Sequence, residues 1–178
     1  MRSLIFLLTA SSLLWAGCQK DDNTPPSDEP ELITTVVLNF TAPDGGASSF
    51  KFTDPDGDGG NPPTSQDITL AANTVYQMNI EFRDESDAIN IVDITAEVKR
   101  EAEKHLLCFG ATGVLDIPIT LDTDSNGAPL GLETELTTGQ AGNATLAIIL
   151  KHNPDKAAAN PCITGETDVQ AEFDVVVE

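Results

Sequence analysis

Ser49-Phe50-Lys51-Phe52-Thr53 sets two phenylalanines between polar neighbours. This is the period of two that turns one face of a β-strand to a core and the other to water. Upstream, Thr34-Thr35-Val36-Val37-Leu38-Asn39-Phe40 is rich in β-branched residues and reads as a second strand. Downstream, Asp67–Leu70 and Thr74–Phe82 follow, with Ala71-Ala72-Asn73 between them. Further strands are expected over Val114–Leu121, Leu130–Leu136, Ala144–Lys151 and Asp168–Val177. Clusters of Gly, Pro, Asn and Asp punctuate them at short intervals, a rhythm that predicts an all-β domain: an immunoglobulin-like antiparallel β-sandwich. Only Asp93–His105 (DITAEVKREAEKH) reads as helical. It has an Asp or Thr for its N-cap and Ile94, Val98 and Ala102 on one stripe, so one short helix is expected to cross between the halves of the sandwich.

The first thirty residues carry a different signal. Arg2 is followed by an apolar run, Leu4–Ala16, of 13 residues. That is shorter than the roughly 20 needed to span a bilayer, and with its basic flank it fits a secretory leader. The run ends in Trp15-Ala16-Gly17-Cys18, small residues before a cysteine that resemble the lipobox of bacterial lipoproteins, with Trp15 where leucine is usual. The resemblance implies cleavage before Cys18 and lipidation of that residue; the plain alternative is an ordinary secretory signal. Gln19-Lys20-Asp21-Asp22 resembles the surface-export signal of Bacteroidota lipoproteins, which implies an outer-membrane domain facing the outside rather than the periplasm. Three acyl chains, at about 0.8 kcal/mol per buried methylene, make such an anchor permanent. The organisation expected is therefore a leader over 1–17, the lipidated cysteine and a flexible, proline-bearing tether over 18–31, and a sandwich over 32–178.

With 9 basic and 29 acidic residues the net charge is −20, and removing the leader takes away Arg2 but no acid. This charge opposes nucleic acid and anionic lipid as partners and favours cations or basic proteins. The only tryptophan lies in the leader, which leaves little for a stacking platform that binds sugars. Once Cys18 is lipidated, Cys108 and Cys162 remain as a pair in an oxidising compartment. A disulfide is expected, worth roughly 3–4 kcal/mol in the chain-entropy model, against the alternative of two buried thiols.

The segments Asp54–Asn61 (DPDGDGGN), Asp122–Leu132 (DTDSNGAPLGL) and Gly165–Asp168 (GETD) resemble a family of uncharacterised Bacteroidota surface or periplasmic lipoproteins. The resemblance implies an address and little chemistry. Some members carry a periplasmic-binding-fold label, but the alternation of helices and parallel strands that such a fold needs is not visible here.

Two constellations could hold a metal. Asp122-x-Asp124-x-Asn126-Gly127-x5-Glu133 satisfies the spacing of a twelve-residue calcium loop, with oxygens at positions one, three and five and Glu133 closing it. Its flanks are strand-like, and the same residue types suit a plain tight turn. A weaker copy offers Asp54, Asp56 and Asp58. The second constellation is His105 and His152, the only histidines, with Glu101 four residues before His105. Two imidazoles and a carboxylate from Glu101, Glu166 or Asp168 would suit zinc, copper or iron; otherwise these are two unrelated surface histidines.

No hydrolase, metalloprotease or phosphate-loop signature is present, so a non-enzymatic protein is expected. One reading is a surface binding or accessory module that captures a cation or metal complex for an outer-membrane transporter or another surface protein. The other is a structural or adhesive module stiffened by calcium loops. For the address, Cys18→Ala is expected to abolish membrane attachment, read as loss of metabolic fatty-acid labelling; label retained in the variant counts against the lipobox.

Overall fold

The computed structural model describes residues 31–57 and 60–178. The leader, Cys18, the tether before Glu31 and Asp58 lie outside the described residues. In chain order the elements are β1 (Thr35–Thr41), β2 (Ala47–Thr53), β3 (Thr64–Ser65), β4 (Ile68–Leu70), β5 (Val75–Asp84), β6 (Val92–Asp93), the helix α1 (Thr95–Arg100), β7 (His105–Ala111), β8 (Ile119–Thr120), β9 (Glu133–Thr137), β10 (Gly142–His152) and β11 (Glu166–Val177). They form two sheets. The larger runs β3-β2-β1-β5-β9-β8, with β6 beside the end of β5; the smaller runs β4-β11-β10-β7. The chain is thus an all-β sandwich with one short helix, as expected. All strand pairs are antiparallel except β4 with β11, which run parallel.

The core follows from alternation. On β5, Tyr76, Met78, Ile80 and Phe82 point inward; on β1, Val36, Leu38 and Phe40 do so beside them. From the smaller sheet, Leu146, Ile148 and Leu150 of β10 and Ala171, Phe173 and Val175 of β11 complete the layer. Phe52 meets Phe173 across the interface with ring centroids 6.3 Å apart. Each large side chain removed from water contributes about 1.5–3 kcal/mol toward offsetting the entropy of ordering the strands.

The helix is shorter than the Asp93–His105 pattern predicts. Ile94 and Val98 are buried as expected, and the Thr95 hydroxyl clasps Phe82 of β5, accepting from its N–H at 2.9 Å and donating to its carbonyl at 3.2 Å. Glu101 leaves helical geometry, Ala102–Lys104 forms a single 3-10 turn, and His105 already belongs to β7. Seven cross-strand pairs from Leu146–Ala111 to His152–His105 outweigh local helix propensity there. The expected strand over Val114–Leu121 shrinks to Ile119–Thr120, because Pro118 has no N–H to give a ladder.

Cys108 of β7 is bonded to Cys162, 54 positions later in the sequence, with their Cα atoms 5.8 Å apart. Cys162 sits in a 3-10 turn, Pro161–Ile163, within the connection from β10 to β11. The bridge therefore pins that connection onto the edge strand of the smaller sheet. A Cys108→Ser, Cys162→Ser double variant is expected to lose about 3–4 kcal/mol in urea unfolding; unchanged stability would mean the connection is held by other contacts.

Candidate metal centre

At one end of the smaller sheet the alternation that builds the core ends in histidine. Ala144, Leu146, Ile148 and Leu150 face the core, and His152 continues their phase; His105 shares the phase of Leu107 on the neighbouring strand. The two histidines are directly opposed in the antiparallel register, and their ring centroids lie 4.9 Å apart. Their side chains are 0% and 2% exposed.

The third member arrives through a β-bulge. Leu150 pairs with Val169 but the next residue, Lys151, pairs with Thr167, so Asp168 is an extra residue on β11. In an uninterrupted strand Asp168 would follow Gln170 to the outer face. The bulge re-aims it inward, where its side chain is fully buried against both imidazoles. The connection that returns the chain to this point is tight. Gly165 has φ +68°, and a Cβ there would lie 2.3 Å from the His152 carbonyl oxygen, so only glycine lets the two strands close. The fourth member, Glu31, comes from the segment that leads into β1 in the other sheet.

One ligand-type atom from each of Glu31, His105, His152 and Asp168 lies within 4.8 Å of every other. His105 Nε2 is 3.4 Å from Glu31 Oε1 and 3.8 Å from Asp168 Oδ2. His152 Nδ1 is 3.6 Å from Glu31 Oε2 and 3.5 Å from Asp168 Oδ1. Direct charge-assisted hydrogen bonds would be about 2.7–2.9 Å. The edge of a tetrahedron around zinc, with bonds near 2.0–2.1 Å, is about 3.4 Å. These separations are longer than direct hydrogen bonds, and the four groups are close enough that they could hold a metal ion between them. Consistently, Glu31 Oε2, His105 Nε2, both ring nitrogens of His152 and both carboxylate oxygens of Asp168 are buried with no hydrogen-bond partner.

The electrostatics match. His105 Nδ1 lies 3.1 Å from the Glu101 carbonyl oxygen; a carbonyl only accepts, so Nδ1 carries the proton and Nε2 presents a lone pair to the cluster. Burial lowers the His105 pKa below the ordinary imidazole range, against the opposing charge of Glu31. Asp168 is pushed up to about 6 by burial and then by the like charge of Glu31, with His152 working the other way.

The residues singled out from sequence divide clearly. His105 and His152 meet. Of the three carboxylates considered, Asp168 joins them, Glu166 is exposed, and the Glu101 carboxylate turns to Arg100 and Lys104 at 3.5 and 3.4 Å. Glu101 serves His105 through its backbone and is not a ligand: the helix ends at Glu101 itself, which breaks the facial spacing of 101 and 105. Glu31, assigned to the tether, belongs to the site.

Over the calcium-loop spacing the structure shows a hydrogen-bonded turn. Asp122 accepts the Gly131 and Leu132 N–H groups at 2.8 and 3.1 Å. Asp124 Oδ1 accepts those of Asn126 and Ala128 at 2.9 and 3.0 Å. Its other oxygen takes the Lys156 ammonium at 2.9 Å, which also donates to the Ala102 and Pro129 carbonyls at 2.7 and 3.0 Å. That ammonium holds the Asp124 carboxyl below its ordinary range. Asn126 and Glu133 are exposed, Glu133 at the start of β9. In the other loop Asp56 is exposed and accepts the Asn61 N–H at 3.0 Å, while Asp54 borders a cleft beside the histidine cluster.

Comparison with protein-family models, curated proteins and solved structures found no match, so the functional reading rests on the geometry of the chain itself.

The raised pKa of Asp168 sets a signed expectation for metal-free protein. Between about pH 4 and 6 the folded carboxyl keeps a proton that the unfolded chain has released. Its contribution to stability therefore declines as pH rises through that window, and the full penalty stands above pH 6. Asp168→Asn removes the penalty. Urea unfolding in chelator is expected to show the variant gaining on the parent as pH rises from 4.5 to 7.5; a pH-independent difference would refute the assignment.

Proposed function

We propose that this chain is a cell-envelope lipoprotein whose sandwich domain binds one divalent transition-metal ion through Glu31, His105, His152 and Asp168, acting as a non-enzymatic capture module. What carries the reading is the convergence of buried, unpartnered nitrogen and oxygen atoms at ligand-to-ligand spacing rather than hydrogen-bonding distance. A mixed imidazole and carboxylate set suits zinc and its first-row neighbours. An ion there would also supply the charge that two desolvated carboxylates lack. The net charge of −20 raises the local concentration of cations around the domain. The lipobox-like Cys18 and the acids behind it support a place on the outer membrane, where captured metal would pass to a transporter or another surface protein. The alternative, an adhesive module stiffened by calcium, has less behind it, since Asp122 and Asp124 serve backbone N–H groups and a lysine.

Zinc competition against a chromophoric chelator is expected to give one equivalent bound, with His105→Ala and His152→Ala each losing it. At a hundredfold excess over the dissociation constant, zinc should stabilise the parent by about 2.7 kcal/mol. Binding that survives both substitutions, or no binding by the parent, would end this reading.

A further inference from the structure

Three of the four ligating side chains stand on one sheet. His105 opens β7, His152 closes β10 and Asp168 occupies the β11 bulge, all three held by strand pairing and each no more than 2% exposed. Glu31 differs on both counts. It comes from the lead-in to β1 of the other sheet, and its side chain, 11% exposed, sees more solvent than any of the other three. Among the described residues the nearest backbone anchors of that lead-in lie beyond it: Thr34 donates its N–H to the Arg83 carbonyl at 3.0 Å, and its hydroxyl accepts the Glu85 N–H at 2.7 Å.

A cleft of about 380 Å³ opens beside the cluster, with Glu31, Ile33, Asp54, Thr167, Asp168 and Gln170 on its walls. Both carboxylate ligands border it and neither imidazole does. An ion arriving by this cleft meets oxygen first and nitrogen second. Asp54 has a buried oxygen with no hydrogen-bond partner on the same wall, a further negative group along the way in.

Resting on the metal reading above, we infer that Glu31 is the gating ligand: it moves aside to admit the ion from the cleft, and by closing on the ion it clasps the lead-in of the larger sheet to the smaller one. His105, His152 and Asp168 form the fixed half of the site and Glu31 the exchangeable half. Occupancy then controls how firmly the residues just before β1 are held, and a pull on that segment weakens the hold on the ion. The direction of coupling follows from reciprocity: whatever the ion does for the docking of Glu31, the docking of Glu31 does for the ion.

The test uses the full chain with zinc as the probe. Glu31→Gln keeps the shape of the side chain and removes its charge, with Glu31→Asp as the conservative variant. Zinc affinity is expected to fall on the order of 10–100-fold in Glu31→Gln through faster dissociation, and less in Glu31→Asp. Hydrogen exchange supplies a readout that affinity does not. In the parent, zinc should slow exchange both at residues 32–35 and at residues 166–169. In Glu31→Gln at saturating zinc only the second stretch should remain protected. Asp54→Asn should slow zinc association and flatten its dependence on salt while leaving equilibrium affinity nearly unchanged. Parental affinity in Glu31→Gln, with zinc protecting only the smaller sheet, would overturn the gate and leave the metal site standing. Absence of zinc binding by the parent would overturn both.

Discussion

Two carboxylates and two imidazoles drawn out of water, with six of their nitrogen and oxygen atoms left without a hydrogen-bond partner, impose the strongest local demand on this domain. Elsewhere the sandwich follows ordinary rules, with apolar side chains on alternate positions and backbone groups paired along ladders. At the end of the smaller sheet those rules continue in form, since the histidines keep the core-facing phase, but they deliver groups that burial disfavours. A domain can hold such a cluster only if its surroundings leave the side chains nowhere else to go. The cross-strand pairing of His105 with His152 does this for the imidazoles, and the bulge does it for Asp168.

The scaffold around the cluster is correspondingly stiff. The connection between β10 and β11 delivers a member of the cluster at each end, His152 before it and Asp168 after it. It is anchored in its middle by the Cys108–Cys162 bridge and by the Lys156 ammonium, and it closes through a left-handed glycine. Three independent restraints on so short a stretch make sense if the spacing of its two ends matters. Glu31, by contrast, stands on the lead-in to the other sheet, where the nearest backbone anchors among the described residues are those of Thr34.

The sequence discloses some of this and conceals the remainder for physical reasons. Strand periodicity around Phe50 and Phe52 and along Thr74–Phe82 was enough for the sandwich, and the cysteine pair followed by elimination. His152 was legible too: extending the alternation of Ala144, Leu146, Ile148 and Leu150 by one step puts an imidazole on the core face. The strand holding His105 was masked by helix-favouring residues just before it, where long-range pairing overrides local preference. Asp168 stands among the three carboxylates considered but could not be singled out, because a bulge reverses the facing that period two assigns. Glu31 was hidden among prolines and acids, although Ile33, two residues on, is buried in the core. The spacing from Asp122 to Glu133 does not tell a calcium loop from a self-capped turn, since both need the same residue types, and the Lys156 ammonium that meets Asp124 is distant in sequence.

Lys156 has a consequence for how the domain experiences its ionic surroundings. A loop that borrows its positive charge from solution is ordered only when that solution is rich enough in the ion, and its shape fluctuates with supply. Here the counter-charge is covalently part of the chain, at an effective concentration no medium can dilute. The Asp122–Leu132 turn therefore has a counter-charge beside Asp124 whatever ions the medium supplies. Asp124 is thus neutralised by a lysine of its own chain, whereas the buried carboxyl of Asp168 lies beside Glu31 and two imidazoles.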